Sequence, residues 1–120
     1  MRVEEIMSTP VVFTQKIIKV SSLKDMLARK RINAVLVIGE DESISGIITS
    51  SNIISCHDGS RLVQDLMSDF VHVVMPNNRV KDAAKSMVKH SVHHLVAMQD
   101  GKVVGMLSSM DILKVYADLN

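Results

Sequence analysis

An α+β fold made of two tandem β-α-β-β-α units is predicted by three features of this chain. They are a long-range self-similarity, an apolar stripe at helical spacing in each half, and two apolar runs flanking a polar turn in each half. Val3-Glu4-Glu5-Ile6-Met7-Ser8 returns sixty positions later as Val63-Gln64-Asp65-Leu66-Met67-Ser68. At the same displacement Val20 falls on Val80, Leu27 on Met87, Ile32 on Val92 and Val35 on Leu95. After a one-residue difference in a turn, Gly46 to Ile54 aligns with Gly105 to Leu113. The repeats span 1–57 and 62–120, joined by a turn-forming linker at 58–61.

Each unit opens on a short β-branched strand, Val11 to Thr14 and then Val71 to Val74. A helix follows. Val80, Ala83, Ala84 and Met87 make one apolar stripe, with Asn77 or Asn78 as its cap. Val20, Leu23 and Leu27 make the matching stripe, and Ser22-x-x-Asp25 suggests a late start for that helix. Two strands come next, Val35 to Ile38 with Ile44 to Thr49, and Leu95 to Met98 with Lys102 to Ser108. The second pair is joined by Asp100-Gly101, a strong hairpin signal. A closing helix is expected from Ser50 to about Cys56 and from Ser109 to about Leu119. A sixty-residue unit is marginal alone, so the two are expected to share a core, packed sheet to sheet about a pseudo-two-fold axis.

Composition narrows the function classes. The chain is 47% hydrophobic and 22% charged, which places it among globular proteins. Its longest apolar run, Ala34 to Ile38, is far short of a membrane span, and no basic start leads into an apolar stretch. One cysteine, Cys56, fits a reducing compartment, and a cytoplasmic location is expected. The net charge of +1 and an aromatic content of 2% argue against nucleic acid, which calls for a basic stripe or stacking platforms. Arg29-Lys30-Arg31 sits at a predicted helix end, where cations suit the dipole.

Other constellations carry little chemistry. His93 and His94 open a strand, where neighbours face opposite ways, so with His90 they do not suggest a metal site. His57 and His72 read as solvated linker and strand residues, and the nine methionines read chiefly as adaptable core filler. An apolar helix face left over could serve as a dimer surface. No serine elbow or phosphate loop occurs, and no carboxylate pair suggests acid–base work. No catalysis is expected.

Gly105-x-x-Ser108-x-x-Asp111 leaves a strand and opens a helix. A helix start offers unpaired amides to an anion, Ser108 can add a hydroxyl, and Asp111 can accept from hydroxyl donors. The same Ser-x-x-Asp is also a capping box, and the two roles can coexist.

Ile6-Met7-Ser8-Thr9-Pro10, Ile32 to Ile38, Gly46-x-x-Thr49-x-x-Asn52 and the better-matching Gly105-x-x-Ser108-x-x-Asp111 resemble the CBS domain, named after cystathionine β-synthase. Duplicated, they resemble a CBS pair covering essentially the whole chain. The resemblance implies a regulatory module taking an adenosine-containing ligand in a cleft between paired units. AMP, ADP or ATP is the first expectation, and S-adenosylmethionine or NAD(H) the further possibility. It implies no required cofactor, a homodimer arranged as a four-unit disk, and an effector protein that reads the state.

By position, the resemblance assigns Asp111 and Ser108 to ribose and phosphate, and Met106, Val12, Ile32, Asn33 and Ala34 to the base. It places Ser8 or Thr9 near the ribose and His94 where a basic residue often reaches phosphate. A histidine there is only partly charged near neutral pH, which weakens the expectation of a highly phosphorylated ligand. The second cleft, from Thr49 and Asn52 with Val92 and His93, has an amide where the family usually has aspartate. It is expected to be weaker or empty. A ligand-independent dimerisation or interaction module is the alternative.

Overall fold

Hydrophobic strands sit at the centre of two separate sheets. In the computed structural model, which describes residues 1–119, the elements run β1 (Phe13–Gln15), α1 (Val20–Lys30), β2 (Ala34–Ile38), β3 (Ile44–Thr49) and α2 (Ser50–Ile53). They continue with α3 (Val63–Leu66), β4 (Val73–Val74), α4 (Val80–His90), β5 (His94–Gln99), β6 (Lys102–Ser108) and α5 (Ser109–Asp118). One sheet has the order β1-β2-β3 and the other β4-β5-β6. In each, the first pairing is parallel, across a helix, and the second is an antiparallel hairpin. The β5–β6 turn carries Asp100 and Gly101 at φ 53° and 77°, the left-handed pair that a two-residue hairpin needs.

The chain forms two compact units, one from Val12–Val71 and one from Met1–Val11 with the chain from His72 onward. These do not coincide with the sequence repeats, because each repeat's leading segment packs with the other repeat's body. Val3 is fully buried in a cluster with Val74, Ala83, Met87, Leu95, Ala97 and Leu107. Its counterpart Val63 is buried with Val20, Leu23, Leu27, Val35, Val37, Ile48 and Ile53. Burying a valine contributes about 1.5–3 kcal/mol, so each leading segment is held by an anchor as well as by backbone. Val3 N–H donates to Asn78 C=O at 2.9 Å and Glu4 N–H to Pro76 C=O at 2.8 Å.

These segments explain where the helices start. α1 begins at Val20, before the Ser22-x-x-Asp25 box. Val20 N–H donates to Arg61 C=O at 2.7 Å and Ser21 N–H to Gly59 C=O at 3.1 Å, so backbone supplies the cap. Gly59 and Arg61, in the segment joining the repeats, are thus engaged with α1. α4 begins at Val80, whose N–H donates to Met1 C=O at 3.0 Å. Asn78 is not its cap: Asn78 Oδ1 accepts from Met75 N–H at 2.9 Å and holds the preceding turn.

Three further expectations need adjustment, and two short helical turns were not foreseen. α2 stops at Ile53, with Cys56 N–H turning back onto Ile53 C=O. β1 and β4 are shorter than the β-branched runs, because only a few residues find a partner on β2 and β5. α3 and a 3-10 turn at Val3–Glu5 are too short to show helical periodicity. His72 precedes β4 and is half-buried, its ring stacked on that of His90 with centroids 4.4 Å apart, rather than solvated.

Both hairpins begin the same way. α1 and α4 end in left-handed residues, Arg31 at φ 55° and Ser91 at φ 54°. Ile32 N–H and Val92 N–H then return to Leu27 C=O and Met87 C=O, the paired bonds of a Schellman ending. The turn delivers Asn33 and His93 to the start of β2 and β5. Their carbonyls accept from Ser50 N–H and Ser109 N–H, each at 2.8 Å.

Two glycines let the leading segments lie on the hairpins. Ser68 and Ile47 exchange backbone bonds of 2.8 and 3.0 Å, and so do Ser8 and Met106, at 2.8 and 3.1 Å. A methyl group at Gly46 would strike the Ser68 carbonyl oxygen, whereas at Gly105 it would meet the flexible Met7 side chain, with Sδ at 2.5 Å. Backbone cannot yield as a thioether can. Gly46→Ala is therefore expected to cost about 2–3 kcal/mol and Gly105→Ala about 1 kcal/mol, read from denaturant midpoints. Equal losses would contradict the packing described.

Candidate functional site

The residues singled out in the sequence divide between the two compact units. Asp111, Ser108, Met106, His94, Ser8 and Thr9 lie in the unit that contains β5 and β6, together with Val92 and His93. Val12, Ile32, Asn33 and Ala34 lie in the other, together with Thr49 and Asn52.

At the β6–α5 junction, Ser108 caps the helix. Ser108 N–H donates to Asp111 Oδ2 at 2.8 Å, and Asp111 N–H donates to Ser108 Oγ at 3.1 Å. This reciprocal box satisfies two backbone donors, and such caps contribute on the order of 1 kcal/mol. A third donor, Ser109 N–H, is taken by His93 C=O. Asp111 is half-buried and keeps Oδ1 as a further acceptor.

The neighbours of this box come from strand register. His94 is paired with Ser108, and Met106 is two residues back along β6, so all three side chains share one sheet face. Ser8 is bonded to Met106 on its other side, and both Ser8 and Thr9 are exposed. Five of the predicted residues, Asp111, Ser108, Met106, His94 and Ser8, thus lie at one junction, with Thr9 next to Ser8 in sequence. Burial holds the His94 imidazole below its usual range, helped by the charge of His93 and opposed by Asp111. Its neutral form is favoured. The His93 ring lies 3.5 Å from Ser109 Oγ and, with Val92, Met87 and Ser91, borders a depression of about 380 Å³.

The β3–α2 junction has the same backbone and a different polarity. Thr49 is paired with Ala34, and Ser50 N–H donates to Asn33 C=O. Val12 lies beside β2, its carbonyl accepting from Leu36 N–H at 3.1 Å, and Ile32 is half-buried. Asn52 Oδ1 accepts from Thr49 N–H at 2.8 Å and from Thr49 Oγ1 at 3.0 Å. Only the amide oxygen can accept these bonds, so its NH₂ is the end presented outward. Asp111 offers an acceptor where Asn52 offers a donor.

Sequence reasoning missed Ser68, which lies on Ile47 as Ser8 lies on Met106. The sixty-residue displacement already contained that signal. It also missed a depression of about 730 Å³ lined by Gln15, Lys16, Ile38, Glu40, Asp41 and Gln64, among others. This lies at the far end of β2, away from Thr49, and no motif marks it. Among the described residues no group of three or more His, Cys, Asp or Glu could hold a metal ion, and no helix is long and apolar enough to cross a membrane.

Comparison with known proteins agrees with this architecture. The CBS-domain profile matches residues 3–58 and again 63–118. Uncharacterized protein MJ1225 of Methanocaldococcus jannaschii is 23% identical over 117 residues, covering 94% of this chain and 42% of that protein. The chain spans less than half the length of the curated relatives it matches, 42% in that case and 12% in two others. Among solved structures, the CBS domain pair of protein MJ0100, in complex with 5′-methylthioadenosine and S-adenosyl-L-methionine, superposes with a TM-score of 0.90 at 23% identity. That match covers 100% of this chain and 98% of the other. The CBS-domain containing protein ATU1752 from Agrobacterium tumefaciens gives 0.88 at 18% identity, covering 96% and 92%. With both repeats matched over nearly their whole length, the chain belongs to the CBS-domain family as a tandem pair.

Proposed function

We propose that this chain is a regulatory module that binds an adenosine-containing ligand at the β6–α5 junction and signals its occupancy to a partner protein. The observation that carries the reading is the Ser108–Asp111 box. It fixes a half-buried carboxylate, near enough to His94 to act on its charge, with one oxygen still able to accept. Vicinal hydroxyls are donors that suit such a carboxylate, and charge-assisted bonds to it are the strong kind. The adenosine derivatives held by the MJ0100 pair support the same ligand class. Signalling requires that the ligand bind two conformations with unequal affinity.

The reading is one of binding rather than catalysis. Asp111 Oδ2 serves the cap, and its other oxygen is the acceptor the reading gives to a ligand hydroxyl.

A second reading, a dimerisation or interaction module working without ligand, is favoured by one observation. Met110, Leu113, Tyr116 and Leu119 are exposed at three-residue spacing along α5 and just beyond it. Such a stripe suits self-association into the expected homodimer.

Asp111→Asn tests the first reading because an asparagine oxygen can keep the cap, as Asn52 does. We expect retained thermal stability and a loss of adenosine affinity of about ten- to hundredfold by calorimetry, the worth of a charge-assisted bond. Unchanged affinity would move the site elsewhere. Asn52→Asp reverses the change in the other unit, and the stoichiometry is expected to rise from one ligand per chain to two. A wild-type chain that already binds two would contradict the difference drawn between the junctions.

A further inference from the structure

We infer that the β6–α5 junction selects adenosine derivatives whose 5′ substituent carries no negative charge, in preference to nucleotides. The inference rests on the proposed reading that this junction holds adenosine. Three observations lead to it.

First, three of the amide donors at this helix start are already used. Ser108 N–H is bound to Asp111 Oδ2, Ser109 N–H to His93 C=O, and Asp111 N–H to Ser108 Oγ. A phosphate drawing on these three would have to displace their bonds, and breaking the box costs about the worth of the cap. Second, the fixed charge at the junction is the Asp111 carboxylate. A 5′-phosphate brought near it meets like charge, partly shielded from water by the half-buried surroundings. Third, the groups on the same face as Ser108 are the thioether of Met106 and the imidazole of His94. Burial and the neighbouring His93 favour the uncharged imidazole, so no ammonium or guanidinium in this set offsets a phosphate. Met106 is polarisable and adaptable, which suits an alkyl or thioether substituent.

The test is calorimetry on the full chain at pH 8, where an ordinary imidazole is neutral. The probes are adenosine, 5′-methylthioadenosine, AMP and ATP, with a His94→Arg chain run alongside. The expected result is 5′-methylthioadenosine binding at least about tenfold tighter than AMP, with ATP no tighter than AMP. His94→Arg places a permanent cation opposite Ser108 and is expected to bring AMP to within about threefold of 5′-methylthioadenosine. AMP or ATP equalling or exceeding 5′-methylthioadenosine on the wild-type chain overturns the inference and leaves the adenosine reading standing. A folded His94→Arg chain that keeps the full gap also overturns it. Silence from all four probes overturns the reading and the inference together.

Discussion

The reciprocal bonds between Ser108 and Asp111 are the constraint on which the rest of the candidate site depends. They set where α5 starts, and with it the angle at which β6 hands over to helix. They also turn the carboxylate so that one oxygen faces inward to the cap and the other is left for something else. Capping and binding are often treated as rival explanations of a Ser-x-x-Asp motif, yet here the first creates the second. A cap that consumed both oxygens would leave nothing to bind with. An uncapped aspartate would have no fixed direction.

The same logic explains why two nearly identical junctions differ in what they can hold. Both have a strand-to-helix handover, a carbonyl from the preceding turn on the first helical amide, and a leading segment bonded alongside. One atom separates them in effect, the amide nitrogen of Asn52 against the carboxylate oxygen of Asp111. Because Asn52 spends its oxygen on Thr49 twice over, it has only donors left. The asymmetry is thus a matter of hydrogen-bond polarity, beyond the missing negative charge.

Much of this was legible in the sequence. Strands β2 and β5, the hairpin at Asp100-Gly101 and the stripes Val20-Leu23-Leu27 and Val80-Ala83-Met87 follow from periodicity, which reports burial directly. The pairing of Ser108 with Asp111 was legible in their motif, whereas Met106 and His94 were placed by the family resemblance; strand register puts Ser108, Met106 and His94 on one face. Two things were hidden for identifiable reasons. The start of α1 depends on carbonyls of Gly59 and Arg61, some forty residues distant, and no local pattern encodes them. The exchange of leading segments was hidden by the repeat itself. Val3 and Val63 have equivalent neighbours in sequence, so either body could have received either segment. The polarity of Asn52 needed coordinates as well, because a sequence names an amide without saying which end turns outward.

Whether adenosine binds at the Ser108–Asp111 box is tested most directly by a residue-resolved amide NMR titration of the full chain with adenosine. Binding at the β6–α5 junction would give saturable shifts concentrated at Ser8–Thr9, His93–His94 and Met106–Asp111, with little change around Ile38 to Ser45. Saturable shifts centred on the depression at Gln15, Lys16 and Glu40, with the Ser108–Asp111 amides unmoved, would contradict it.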